Sequence, residues 1–508
     1  MTSNFYDVVV VGTQIGSLVA GALLARRGFR VLVAGHDDLP ATYSYKGYRL
    51  PRGPFTLVGT EAPAIRRVFQ ELALSQLFRR RAVPQEPLFQ VVLPRHRIDV
   101  LANGDDLSRE FGREFPEVSR QIELFYASLT RHNADLDRVL EKDLVMPPET
   151  FFERRELARA VTQSPFGKDG SRGDVFGEFP ENHPFWQFVN CQVRFAGGLD
   201  PQAMTPLAVT RLHGAWMRGT HAFDGGLDAF KRLLFEKVGM HSGEVRERDR
   251  IESLVFKGGR VVGVRVAGQD ELTGCNFLVW GGDPSSLVRL LEPNSLPRRV
   301  GERLEGLRVT LRRHVLNVLI DGGGLPVGMG RDVFSLGDPA APLEGCNLLH
   351  VQVDSPSGAD HHVLTASTLV RAASSSADLE SHRARVLDHV RTLVPFLDEH
   401  AILVDSPSDD LPLEDLAERA SVRPEDRAAS GPARMEPVYL PSAPGVLGVT
   451  ALPNRSGIKN VLFADRETIP GLGLEGLFLA GWSAARLITR TDRKKERMRR
   501  ELWAKIEI

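Results

Sequence analysis

The sequence predicts an α/β protein of two or three domains, and three observations carry that prediction. Apolar runs at Val8–Val11 and Phe277–Trp280 each end in glycine, and a third at Asn460–Ala464 feeds a glycine-rich turn. Helical spacing dominates from about 107 to 217. Short strands with a single helix fill about 309 to 405, which reads as a separate mixed sheet. At 508 residues, 42% hydrophobic and 25% charged, the chain is long enough to bury a substantial core.

The first element is the stretch Tyr6 to Asp38, which reads as strand, tight turn, helix, strand. Gly12 breaks the first apolar run just before helical spacing begins at Ile15, Leu18, Val19, Ala22 and Leu23, and a second buried strand follows at Val31–Val33. This is the opening unit of a dinucleotide-binding fold, in which unpaired N–H groups at a helix N-terminus face a pyrophosphate. The G-x-G-x-x-G fingerprint stands here as Gly12-Thr13-Gln14-Ile15-Gly16-Ser17, so only its first glycine is in place. Gln14 puts a Cβ and a long amide where the phosphate approaches the backbone. Ser17 is a milder change, small enough for close packing and able to donate to a phosphate. Gly35 and His36 hold the place of the acidic residue that grips a ribose.

Net charge is −1 and the sequence pI about 6.9, so no global field draws the chain toward nucleic acid or an anionic membrane. Cys191, Cys275 and Cys346 are far apart and odd in number, which argues for packed thiols in a reducing compartment and against a disulfide framework or a zinc site. No run reaches the roughly 18 apolar residues of a membrane-spanning helix. The N-terminus lacks a basic region before its short apolar run, so a signal peptide is not expected and the protein reads as cytoplasmic.

Further along, Lys46 to Leu57 looks like a strand entering an ordered turn, and residues 61 to 82 carry helical spacing with a solvated Arg79-Arg80-Arg81 face. Phe89 to Val100 reads as a hairpin. Val118 to Leu140 is the clearest helix. Ser164 to Pro184 is too irregular for an element and reads as a loop. Phe185, Trp186, Phe188, Phe195 and Trp216 are read as the core of a helical subdomain in preference to the wall of an apolar tunnel. A Gly-Gly turn at Gly225-Gly226 leads to a helix with Leu227, Phe230, Leu233 and Leu234 on one side, and a hairpin is centred on Lys257-Gly258-Gly259. The pair His361-His362 reads as a hairpin or turn beside a strand. Ser406 to Pro432, rich in Ser, Pro and Asp, is expected to be a surface excursion. After Ala464 comes a turn, then a helix with Gly476, Ala480, Gly481 and Ala484 on one side, its N-terminus expected to face a polar ligand. The basic closing helix places Met498, Leu502 and Ile506 on one stripe; a solvated or packed helix is preferred to a membrane-surface foot.

Three blocks then point the same way: the first strand-turn-helix with GYRLPRGPFTL after it, FDGGLDAFKRLL through LVWGGDP, and IPGLGLEGLFLAGWSAARL. In these the chain resembles the phytoene desaturase-like branch of FAD-dependent oxidoreductases, kin to carotenoid and retinoid desaturases and saturases, and more distantly to amine oxidases and Rab GDP-dissociation inhibitors. The resemblance implies a Rossmann-like FAD-binding domain assembled from 1–65, 221–292 and 452–490. It also implies a mixed-sheet substrate domain from 66–105 and 293–451, a helical cap at 106–220 and a basic C-terminal helix at 491–508. The implied chemistry is hydride transfer between the flavin and a lipophilic polyene or related isoprenoid. The implied cofactor neighbours are Gly12, Ile15 and Gly16 at the pyrophosphate, Ile251 beside the adenine, and Pro470, Gly471, Leu472, Gly473 and Leu474 beneath the flavin end. The resemblance names no catalytic acid or base, and no metal.

The chain departs from that pattern at Gln14, Ser17, Gly35 and His36. Pro40-Ala41-Thr42-Tyr43 stands where the family has Gly-Gly-Arg, and Asp465 where relatives commonly have glycine. A carboxylate there repels a pyrophosphate unless it is bridged. Two functions therefore stay open: an FAD-dependent oxidoreductase with a lipophilic small-molecule substrate, and a flavin-free relative that binds a protein partner. Gln14 is the position on which they divide. A nicotinamide-only dehydrogenase is weaker, because the C-terminal glycine turn would have no ligand. No nucleic-acid partner is expected, and any membrane contact would be peripheral, through the basic C-terminal helix. The sequence has no G-x-S-x-G, H-E-x-x-H, P-loop or C-x-x-C motif.

Overall fold

The computed structural model describes residues 4–171, 179–180, 182–291, 297–355, 359–427, 431 and 434–506. Strand β1, Phe5–Val11, is followed by helix α1, Ile15–Arg26, and strand β2, Val31–Ala34. From Val8 to Val11 and from Val31 to Ala34 every residue is buried, as expected for parallel strands covered on both faces, where alternation gives way to a continuous apolar run. β1 pairs in parallel with β2 on one side and with Thr273–Trp280 on the other. The registers Val11↔Ala34 and Val11↔Trp280 end all three strands on one level, so the turns at Gly12, Gly35 and Gly281 share one edge of the sheet. Val461–Phe463 joins the same edge beside Trp280, Glu244–Arg246 extends the sheet past β2, and the hairpin Ile251–Lys257/Arg260–Val266 closes the far side. This seven-stranded sheet is thus built from residues near both chain ends and from the middle.

Helix α1 lies between this sheet and two helices, Gly473–Thr489 and Gly226–Met240. It comes unusually close to its neighbours. A Cβ on Gly481 would sit 2.3 Å from the Gly16 carbonyl oxygen, one on Gly16 would sit 2.0 Å from the Ala464 carbonyl oxygen, and one on Gly281 would sit 2.2 Å from Ser17 Oγ. The small residues read from the sequence therefore let backbones touch.

A second, ten-stranded sheet is centred on the long strand Leu307–Asp321. Its neighbours His361–Arg371, Ala401–Asp405 and Glu436–Pro441 are all antiparallel to it. The expected hairpin Phe89–Leu93/His96–Val100 joins through a parallel pairing with Asp332–Leu336, which makes the sheet mixed. His361 and His362 open the second strand of a hairpin with Leu348–Asp354, the hairpin of the two alternatives expected there. The segment Ser406 to Pro432 corrects another expectation. Leu413–Asp415 and Ala420–Val422 extend the sheet, and Ser406, Asp409, Asp415 and Arg427 are buried. The polar residues go inside because they satisfy one another: Arg427 Nη1 lies 2.5 Å from Asp405 Oδ1, and Ser406 Oγ donates to the Val315 carbonyl at 2.7 Å.

Helices Ser119–Leu140, Pro184–Ala196 and Pro206–Met217 cover that sheet. Phe185, Phe188, Phe195 and Trp216 are buried as core, together with Phe89 and Phe334 from the sheet strands. The core is therefore shared between helices and sheet and is not the helices' own. The segment Ser164 to Pro184 falls partly outside the described residues. The closing helix Arg493–Ile506 packs; of the expected stripe, Met498 is 53% exposed, Leu502 is half-buried, and the Ile506 side chain lies outside what the structure describes. Its inward residues are Arg499, bonded to Asp143 and Glu496, and Trp503, which donates to Glu71 at 3.1 Å and meets Trp482 edge-on. Among the described residues, no helix is long and apolar enough to cross a membrane.

Substituting Gly481→Val should force α1 off its neighbours and cost about 1–3 kcal/mol of stability, as overpacking does. Urea titration of the variant reads this, and an unchanged midpoint would contradict the backbone contact.

Candidate dinucleotide site

The shared edge of the first sheet is where an α/β fold of this kind holds its ligand. Gly12 turns the chain out of β1 with φ +94°, and its N–H donates to the Ala34 carbonyl at 2.8 Å. The next residue, Thr13, is spoken for: its N–H and its Oγ1 both donate to Asp38 Oδ2, the hydroxyl at 3.0 Å. Gln14 is the N-cap residue of α1, half-buried and without a side-chain cap bond. Ile15 is buried in the core. The Gly16 N–H faces the Asp465 carboxylate closely enough to lower its pKa, and Ser17 Oγ donates to the Gln14 carbonyl at 2.9 Å. The donors at the start of α1 therefore face two carboxylates of the chain itself. Asp38 carries no motif and was missed by the sequence reading; Gln14, expected to be the obstruction, makes no side-chain cap bond to the helix end.

Asp465 is 8% exposed, and its Oδ1 has no hydrogen-bond partner. Burial pushes its carboxyl up to about 7; the Asp38 charge adds to this, while the Gly16 N–H and Lys231 pull the other way. Glu467, two residues on and also buried, accepts from the Asp465 N–H at 3.2 Å. Burial, then the charge of Asp465, holds its carboxyl well above the usual range. Tyr439, buried beside them, is raised by burial and by the same acids. Between the two acids, Arg466 reaches across to hydrogen-bond Glu436 of the second sheet.

The adenine end is filled in a similar way. His36, at φ +49°, accepts from the Ile251 N–H through Nδ1 at 3.3 Å and meets Trp280 edge-on with centroids 5.3 Å apart. Burial lowers its basicity and favours a neutral ring. Ile251 itself is 1% exposed.

At the other end, the turn Pro470–Leu472 and the helix after it were expected to face a polar ligand; they face protein. The Pro470 carbonyl accepts from the Gly198 N–H at 2.8 Å, and the Gly471 N–H donates to Val449 at 2.9 Å. Gly473, at φ +55°, leaves no room for a side chain, because a Cβ would meet the Ala196 carbonyl at 2.3 Å. In the first turn of the helix, Glu475 is locked to Arg211 by a buried two-pronged pair of 2.6 and 2.8 Å. Beside Leu472, Gly473 and Leu474 lies a cavity of about 10 Å³, lined also by Leu212 and Ala215. That is room for about one water, against the roughly 300–1,000 Å³ of an organic ligand site. In this packing Asp38 takes the Thr13 donors and the Pro470–Leu474 turn packs against protein, so a flavin bound here would require these groups to move.

The buried Asp465 gives a pH signature. Its folded pKa lies above the unfolded one, so below about pH 4 both states are protonated and it costs nothing; as the pH rises to 7 the native state must hold its proton or a buried charge. Asp465→Asn removes that cost. The stability gap between variant and wild type should grow from near zero at pH 4 to on the order of a few kcal/mol above pH 7. A gap that stays flat across that window in chemical denaturation would contradict the burial argument.

Comparison with known proteins agrees with this architecture. Residues 10–72 match the family described as NAD(P)-binding Rossmann-like domain. A 4,4'-diapophytoene desaturase (4,4'-diapolycopene-forming) of Methylomonas is 22% identical over 326 residues, which cover 60% of this chain and 59% of that protein. A chloroplastic prolycopene isomerase of Daucus carota is 21% identical over 304 residues, 58% of this chain and 49% of that one. The match thus spans between half and three-fifths of each relative's length. Among solved structures, an oxidoreductase from Methanosarcina mazei superposes with TM-score 0.59 at 14% identity, covering 94% of this chain and 99% of that one. A cyclohexylamine oxidase from Brevibacterium oxydans gives 0.53 at 15%, covering 96% and 99%. The chain therefore has the fold of these oxidoreductases, with a Rossmann-like domain at its start, and it is related in sequence to the desaturase and isomerase group that its motifs resemble.

Proposed function

We propose that the chain is an oxidoreductase of the phytoene desaturase-like kind, acting on a lipophilic polyene or related isoprenoid, with FAD as the cofactor that reading calls for. The observation that carries it is the sequence similarity to a diapophytoene desaturase and to prolycopene isomerases over about three-fifths of the chain. The Rossmann-like match and the retained strand-turn-helix unit support a dinucleotide at the edge of the first sheet. The chain's own part would be to place and desolvate the reacting atoms, since a flavin supplies hydride chemistry when bound. No residue is assigned a proton-transfer role.

A second reading has its own support. The carboxylates of Asp38 and Asp465 on the α1 donors, and the filled volume at the Pro470–Leu474 turn, favour a flavin-free protein that keeps the fold and acts by binding.

The visible absorbance of the purified protein, followed while FAD is added to saturation, separates the two. The oxidoreductase reading predicts uptake of one flavin per chain and bleaching of the bound flavin by a reductant under anaerobic conditions. A colourless protein that retains no flavin at any concentration would sink it and leave the binding-protein reading.

A further inference from the structure

We propose that Asp38 is an internal ligand of the dinucleotide site: its carboxylate stands on the α1 N-terminus where a diphosphate would bind, so a dinucleotide enters only when the Asp38 segment leaves. The inference rests on the dinucleotide-site reading above and names what controls access to it.

The anion is in the right place and is held there from several directions. α1 is a helix of 12 residues with no acidic residue in its first turn and no side-chain cap from Gln14, so its end offers unpaired donors and the positive end of the dipole. Asp38 comes to the turn just before that end, with one oxygen shared by the Thr13 N–H and hydroxyl. To bring it there the chain turns back over the end of β2 through two successive left-handed residues, His36 at φ +49° and Asp37 at φ +53°. Residues other than glycine adopt that region rarely, and such strain persists where the surroundings hold it. Arg434 donates to the Asp37 carbonyl at 2.8 Å, and Arg250 lies 3.3 Å from the Asp37 carboxylate.

A second observation points to a ligand rather than to ordinary capping. Asp465, on the other side of the same helix end, is buried with Oδ1 unpartnered, and Lys231, also buried, lies within its electrostatic reach. The site thus holds donors, a cation and an incompletely satisfied carboxyl. Asp38 is half-buried, so unlike Asp465 it can leave without opening the core.

Calorimetric titration with inorganic pyrophosphate and with ADP tests this on the full chain. Asp38→Asn should bind both at least 10-fold more tightly than wild type, because the amide is a weaker, neutral competitor for the Thr13 donors. Asp37→Asn removes the same charge one residue away, off the helix end, and should bind as wild type does. Equal tightening by both variants would show a general charge effect and overturn the proposal, as would equal affinities in Asp38→Asn and wild type. Should Asp38→Asn fold poorly, Asp38→Ser serves as the second variant with the same expectation. Tighter pyrophosphate binding without flavin uptake in any variant would uphold the internal ligand and sink the oxidoreductase reading. FAD bound as tightly by wild type as by Asp38→Asn would overturn the internal ligand and leave that reading standing.

Discussion

The backbone contact between α1 and its two neighbours sets the terms for everything around it. Gly16 rests against the Ala464 carbonyl, and Gly481 rests against the Gly16 carbonyl, so helix, strand end and second helix meet without side chains between them. Dispersion over such a close contact is favourable, but it also fixes where the end of α1 points. It points at Asp465, the residue that follows Ala464. A carboxylate there is brought to the helix dipole by the same packing that excludes water from it, which is why its burial and its nearness to the Gly16 N–H occur together.

From that constraint the rest of the edge follows. Beside the acid at the helix end, in the turn just before it, the loop after β2 supplies Asp38 to the Thr13 N–H and hydroxyl. His36, whose backbone turns the loop, fills the adjoining hollow with its ring against Trp280 and Ile251. Further along, Arg466 carries a polar contact to the second sheet, Glu467 accepts from the Asp465 N–H, and the Arg211–Glu475 pair fastens the helix Pro206–Met217 to the helix Gly473–Thr489. Each group answers the one before it. The result is a cleft closed by polar side chains, a costly way to fill space unless the partners satisfy one another.

Much of the fold was legible because buried parallel strands write themselves as apolar runs ended by glycine: Val8–Val11, Val31–Val33 and Phe277–Trp280 lie where their composition put them. What escaped is short or polar. Glu244–Arg246 and Ala420–Val422 are three-residue edge strands with no period to read, and Asp332–Leu336 is buried throughout despite its Asp and Ser. The segment after Asp405 read as surface because composition cannot tell a solvated acid from one paired inside, as Asp405 is with Arg427. The site was legible at Gly12, Gly16 and Asp465, which sit at motif positions. Asp38 was not, since its side chain reaches Thr13 only through the left-handed turn at His36 and Asp37, and neither residue type announces that turn.

The central claim is that the α1 N-terminus is occupied by the chain's own carboxylates. Amide hydrogen exchange at Thr13 and Gly16, measured on the purified protein with and without saturating pyrophosphate, tests it most directly. The account predicts that both amides are protected in the free protein and that pyrophosphate leaves the Gly16 amide unchanged, because Asp465 is buried. Free exchange at Thr13 and Gly16 in the unliganded protein, with protection appearing only when pyrophosphate is added, would contradict it.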